Sequence, residues 1–149
     1  MRTVLDATDR EILCGRVASL SPASLPRWGR MNVGGMVAHL CQWTRMALGE
    51  LPVAPKNKRA FEVFPLKHLI LYVLPIPRGV PTAPELLSGP TGLSEGDKAA
   101  LQALIRRLGE GPSEGMGPAV HPLFGALTRR EWAAFAYKHG DHHLRQFGV

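Results

Sequence analysis

Three of the six histidines fall within the last twelve residues, KHGDHHLRQFGV. His139 and His143 are four residues apart, so on a helix both project from one side with Cβ atoms about 5–6 Å apart. Two imidazoles at that separation can meet one ion. Histidines near a helix C-terminus also have plainer uses. Their cations oppose the negative end of the helix dipole, and a buried imidazole can be a hydrogen-bonded core residue. The choice turns on which face the rings take and whether a third ligand stands opposite.

The elements that would carry these side chains are marked by their ends. Thr8-Asp-Arg-Glu11, Ser94-Glu-Gly-Asp97 and Thr128-Arg-Arg-Glu131 each set an acid three residues after a hydroxyl. In such a box the hydroxyl accepts from an early backbone N–H. The acid reaches back toward the cap and opposes the positive helix end. Asn32 is a fourth good cap. Helices are therefore predicted near 9–20, 33–49, 95–109 and 129–146, stopped by Ser21-Pro22, by Gly49 to Pro52 and by Gly109 to Pro112. Residues 51–92 hold eight of the thirteen prolines and should wrap the surface, with one short helix near 66–73. No repeat and no alternating strand pattern emerges. The expected fold is all-α, a single domain over 1–149. It is a four-helix bundle with a long proline-rich connection between helices 2 and 3 carrying a short extra helix, the connectivity in which one crossover is long.

At about 100° per residue, Trp132, Ala136, His139, His143 and Gln146 share one stripe of the last helix, flanked by Phe135. Arg130, Lys138, Asp141 and Arg145 lie opposite, and His142 falls at the edge of the stripe. On the second helix Met36, Leu40, Trp43 and Ala47 form the apolar stripe, with His39 beside it and Cys41 pointing away. His39 is about seven residues into its helix and His139 about eleven into its own, so parallel neighbours would hold them at similar depth. Three inward histidines from two helices make the case for a metal centre, because burying several unpaired imidazoles is costly. The competing reading is a set of hydrogen-bonded core residues. His68, in the proline-rich connection, gives no signal, and His121, in HPLFG, should shape the turn before the last helix.

Composition narrows the classes. Of the 149 residues 45% are hydrophobic and 20% charged, enough for a folded core without staples. The net charge of +6 is scattered; only KNKR at 56–59 clusters, and no aromatic residue is interleaved with it, so no nucleic-acid partner is expected. That basic loop is a solvated segment or a contact for an anion. The longest apolar run, LILYVL at 69–74, is far short of the eighteen or so residues of a membrane span. Asp6 and Asp9 interrupt the place where a signal peptide would be apolar, so the expected location is cytoplasmic. Cys14 and Cys41 form no zinc pattern and read as small buried hydrophobes.

Two stretches are familiar together. WGRMNVGGMVAHL at 28–40 looks like a W-G-x-M lead into a second helix whose motif ends in histidine, and KHGDHHLRQ at 138–146 matches a closing H-x-x-x-H-x-x-Q. On these residues the chain resembles the DinB-like (damage-inducible) superfamily of four-helix metal-binding proteins. HPLFGALTRREW at 121–132 is similar to a branch of it known as a domain of unknown function. The resemblance covers the start of the second helix and the final thirty residues, and the middle by architecture. It implies a divalent metal on His39, His139 and His143, with Gln146 at the superfamily's trailing glutamine. Gln146, His142 and His121 are then candidates to support the ligands without touching the ion. In one departure, the superfamily often reads Arg-Gly-Gln after its last ligand and this chain reads Leu144-Arg145-Gln146.

Three neutral imidazoles leave coordination positions open to water or substrate, as in reactive rather than structural zinc sites. Zinc and nickel suit this donor set first, with iron or manganese as alternatives. The resemblance implies a metal-dependent transferase acting with a low-molecular-weight thiol or another small molecule. A metal-dependent hydrolase is the alternative, with His142, His121 and Glu131 as candidate proton acceptors. A non-catalytic bundle that binds metal or a partner, such as a homodimer, is the third reading.

Overall fold

The helix caps account for most of the architecture. A computed structural model describes residues 1–53, 62–78, 92–111 and 120–149. Helix α1 spans Ala7–Ala18 and α2 spans Val33–Ala47; the one-turn α3, Leu66–His68, runs into a π turn at Leu69–Val73. Helix α4 spans Glu95–Glu110 and α5 spans Arg129–Gln146. Ser94 and Thr128 each close a full capping box with Asp97 and Glu131, and Asn32 accepts from the Gly35 N–H at 2.7 Å. At α1 the expected box does not form. Asp6, not Thr8, is the cap and accepts from the Asp9 N–H at 2.9 Å. A carboxylate earlier in the chain takes the cap and starts the helix sooner. Glu11, the expected box acid, instead pairs with Arg106 of α4 at 2.9 Å.

Cross-helix contacts give the directions. Val4 donates to the Ala133 carbonyl near the start of α5, and Arg16 pairs with Asp141 near its end, so α1 and α5 run parallel. Arg10 of α1 pairs with Glu110, while Lys98 donates to the carbonyls of Ala18 and Leu20, so α1 and α4 are antiparallel. Glu50, just past α2, pairs with Arg107 in the last turn of α4, which sets the C-terminal ends of these packed helices side by side, so α2 and α4 run parallel. Parallel bundle helices that follow one another need a crossover along the bundle, which the proline-rich connection supplies. Its basic segment 56–59 lies outside the described residues.

Helices α2 and α5 are antiparallel, a direction that residue order left open. Trp43 meets Trp132 and Phe135 with centroids 5.5 and 5.6 Å apart, while His39 meets His143 at 5.0 Å. The depths still match, because His39 and His139 both lie near mid-helix and reversing one helix barely moves them. A second difference is a two-residue hairpin, Val120–His121 (β1) against Gly125–Ala126 (β2), too short to show an alternating pattern. Lys138, expected on the solvent side, is partly covered by the π turn and donates to the Ile70 carbonyl.

The core is aliphatic between α1, α2 and α4 and aromatic between α2 and α5. Leu13, Met36, Leu101 and Leu108 are at most 1% exposed, each such side chain contributing roughly 1.5–3 kcal/mol by burial. Cys14 is buried and Cys41 packs against the same core; both are free, and burial pushes the Cys41 thiol up to about 11. They behave as the small hydrophobes expected of them. No helix among the described residues is long and apolar enough to cross a membrane.

The N-terminal segment crosses the last turn of α4 at Gly109. A Cβ there would stand 2.2 Å from the Val4 carbonyl oxygen and 2.8 Å from Arg10 Cδ. Gly109→Ala should therefore destabilise the protein by on the order of 2 kcal/mol, although helix propensity alone would favour alanine by about 1 kcal/mol. Equilibrium urea unfolding decides the sign, and a gain in stability would contradict the close approach.

Candidate metal centre

The predicted stripe of α5 turns inward as a unit. Trp132, Phe135, Ala136 and Gln146 are buried, and His139 and His143 are partly so, with some of their surface meeting solvent. His39 of α2 faces them and is 3% exposed. His39 Nε2 lies 3.3 Å from His139 Nε2, which in turn lies 3.2 Å from His143 Nε2. The ligand atoms of all three sit within 4.8 Å of one another. An ion bound tetrahedrally by imidazoles at about 2.0–2.1 Å requires nitrogens about 3.3 Å apart. The two measured edges match that spacing.

Protonation states sharpen the point. The Trp28 carbonyl can only accept, so the Gln146 amide NH2 that approaches it at 2.8 Å must be its donor. Gln146 Oε1 is thereby left facing His143 Nδ1 at 2.9 Å, which must carry the proton. His143 Nε2 is then a bare lone pair aimed at its neighbours. His139 Nε2 can donate to one of the two nitrogens beside it, not both. Protonating the rings is no remedy. Burial, then the neighbouring rings, hold His139 well below the usual histidine range, and burial chiefly pushes His143 down to about 3. A cation at the centre would engage all three nitrogens at once. Among the described residues His139 Nδ1 is buried without a partner, the one nitrogen of the cluster that the fold leaves unsupported.

The support around His143 explains the glycine of the Trp28-Gly29 pair. Gly29 has φ +81, and a Cβ on it would lie 2.8 Å from Gln146 Nε2. Only glycine fits there without strain. Arg27 N–H also donates to the Gln146 carbonyl at 2.7 Å, so the loop before α2 is fastened to the end of α5. Leu144 and Phe147 are buried, and Arg16 donates to the Val149 carbonyl at 2.9 Å, which keeps that last turn docked. Sequence reasoning found Gln146 but not its partner, the Trp28 carbonyl, because a backbone acceptor leaves no mark in residue type.

The remaining candidates separate. His142 stands beside the cluster, its ring 5.2 Å from His143 and 5.9 Å from Trp28. His121 is one aromatic layer away, with Phe135 touching both it and His139. Its Nδ1 accepts from the Leu123 and Phe124 N–H groups at 3.2 and 3.3 Å, so it shapes the turn as expected. Burial pushes it down to about 3. Glu131 is engaged by the Thr128 N–H at 2.7 Å and by Lys67 Nζ at 3.0 Å. Although burial opposes ionisation, those bonds bring its carboxyl below the usual range. Its role is structural, and neither it nor His121 is a free proton acceptor. Arg145, the displaced arginine, is largely exposed and pairs with Asp141.

A family model described as "Protein of unknown function (DUF1569)" matches residues 2–148. No curated protein and no solved structure shows significant similarity to the chain.

Two predictions follow from this geometry. Gln146→Leu should preserve the fold yet weaken binding of zinc by about ten- to a hundredfold, because the His143 ring loses its orienting acceptor; competition with a chromophoric chelator measures it, and unchanged affinity would deny that role. The second concerns His121, whose folded pKa lies below its unfolded value near 6.5. The unfolded chain then binds more protons between about pH 6.5 and pH 3, so this residue's stabilisation is complete above that window and fades as pH falls through it. From pH 7 to pH 5 the wild type should lose about 2 kcal/mol relative to His121→Asn, which can still accept from the turn. Paired unfolding curves in chelator would show it, and parallel pH profiles would refute it.

Proposed function

Since the chain belongs to the DUF1569 family of proteins of unknown function, its chemistry has to be read from the site, and we propose that it is a divalent-metal protein using His39, His139 and His143 as ligands. One observation carries this reading: the 3.2 and 3.3 Å spacing of the imidazole nitrogens of buried His39 and half-buried His139 and His143. Zinc or nickel is the proposed ion, with iron or manganese next in line. The same three histidines and the Gln146–His143 bond favour kinship with the DinB-like superfamily, whose pattern places a metal on these positions.

The proposed activity is that of a metal-dependent transferase taking a low-molecular-weight thiol. A cation held by His39, His139 and His143 would supply Lewis acidity, lowering the pKa of a thiol or water bound to it. The chain's own residues do the rest. Gln146 fixes the His143 ring, while Trp43 and Phe135 exclude water from the His139 side, with ring centroids 4.9 and 6.1 Å away. A thiol activated in this way needs no separate strong base. Hydrolysis would need a proton acceptor for water, and of the three candidates only His142 is both beside the cluster and not already committed elsewhere. That placement keeps a hydrolase as the second reading. A cytoplasmic location suits either, since the free cysteines stay reduced there.

Metal analysis of protein prepared without a histidine tag tests the core of the proposal. Wild-type chain loaded with zinc, nickel or manganese should hold about one ion, and His39→Ala and His143→Ala should each lose it while keeping their helical circular dichroism. Failure of the wild type to retain any of these ions would end the reading. Thiol-transfer and ester-hydrolysis assays on the loaded protein then separate transferase, hydrolase and non-catalytic binder.

A further inference from the structure

The side of the cluster that faces solvent carries a cation held in a particular way. The Arg78 guanidinium lies over the Trp28 ring, 4.3 Å from its centroid. Trp28 in turn meets His142 edge-on at 5.9 Å, and His142 meets the ligand His143 at 5.2 Å. The opposite side of the cluster is closed by Trp43 and Phe135. Helix α5 and the Trp28 loop are locked together by Gln146, whose amide bonds both the Trp28 carbonyl and His143. Arg78 is therefore linked to His143 through a chain of ring contacts by way of Trp28 and His142. It is exposed, and its positive charge is felt at His142.

That charge is not spent within the described fold. Among the described residues no carboxylate pairs with Arg78. Asp141, which also acts on His142, is engaged by Arg16 at 2.7 Å and by Arg145 at 3.0 Å. A guanidinium held over an indole face can still donate its edge N–H groups to a carboxylate or phosphate. An aromatic shelf also costs a ligand less than a freely rotating arginine would, because the fork is already oriented.

We propose that Arg78, on its Trp28 shelf, is the specificity residue of this site, selecting a small anionic substrate that coordinates the metal with one end and sets a carboxylate or similar anion on the guanidinium with the other. The inference rests on the metal reading above and narrows its substrate class from any small molecule to one that carries a negative charge away from the reacting atom. Neutral molecules with the same metal-binding group would enter without that second anchor.

Cobalt-substituted protein allows the two claims to be tested apart, since thiol binding changes its visible spectrum. The probes are 3-mercaptopropionate and the neutral 3-mercapto-1-propanol, which have the same chain length. Wild type should bind the anionic thiol more tightly by about fivefold, the scale of one exposed charge pair, and added salt should shrink the difference. Arg78→Gln should abolish the preference while leaving the neutral thiol's affinity within about twofold and cobalt content unchanged, and Arg78→Lys should restore part of it. Arg78→Glu should reverse it. A preference that survives in Arg78→Gln, or equal weakening of both thiols, would overturn the anion role while leaving the metal centre intact. A wild-type chain that takes up no cobalt would overturn the metal reading and this inference with it.

Discussion

Three imidazole nitrogens that converge inside a protein cannot all be satisfied by one N–H donor, and this constraint organises the rest of the molecule. His139 and His143 are desolvated enough to resist protonation, so the fold does not meet this constraint with ordinary ion pairs. Holding the rings in place requires two helices at fixed separation, a glycine loop against the last turn, and a terminal segment that does not fray. Each of these features is expensive or conformationally narrow by itself. Together they hold three imidazoles in a preformed cluster that could take a metal ion.

The arrangement divides labour between the two sides of α5. Toward the head of the helix, a layer of Trp43, Trp132, Phe135 and Phe124 provides rigid dry packing, with His121 folded into it as a turn-former. Toward its end, polar groups take over: Gln146, His142 and the Trp28 carbonyl surround His143. A dry side and a wet side are what a site needs to shield an ion from bulk water while admitting a reactant. The charged residues outside this region, such as Arg10 and Lys98, are spent on helix ends and on bracing α1 against α4.

Much of this was legible in residue order, for identifiable reasons. Capping chemistry is local, so Asn32, Ser94 and Thr128 marked their helices well. Helical spacing is equally local, which is why His139, His143 and Gln146 could be placed on one face before any packing was known. What escaped was decided by tertiary contact. Thr8 yielded to Asp6, and Glu11 was drawn to Arg106. The direction of α2 against α5 stayed open because similar depth along a helix says nothing about polarity. Lys138 looked solvent-facing until the π turn covered it. Glu131 carries the right functional group for proton transfer, yet its oxygens are consumed by Thr128 and Lys67, one of which lies far away in the chain.

His39 and His139 are one hundred residues apart along the chain. An ion shared between them would act as a reversible cross-link, tying α2 to α5 and enclosing the whole proline-rich crossover and α4 within its loop. By analogy with covalent bridges, closing a loop of that length removes roughly 4–5 kcal/mol of entropy from the unfolded ensemble, in the simplest polymer view. Occupancy would then govern how long the bundle survives before opening as well as what it can react with. Ion availability would set the protein's lifetime and its chemistry through the same three nitrogens.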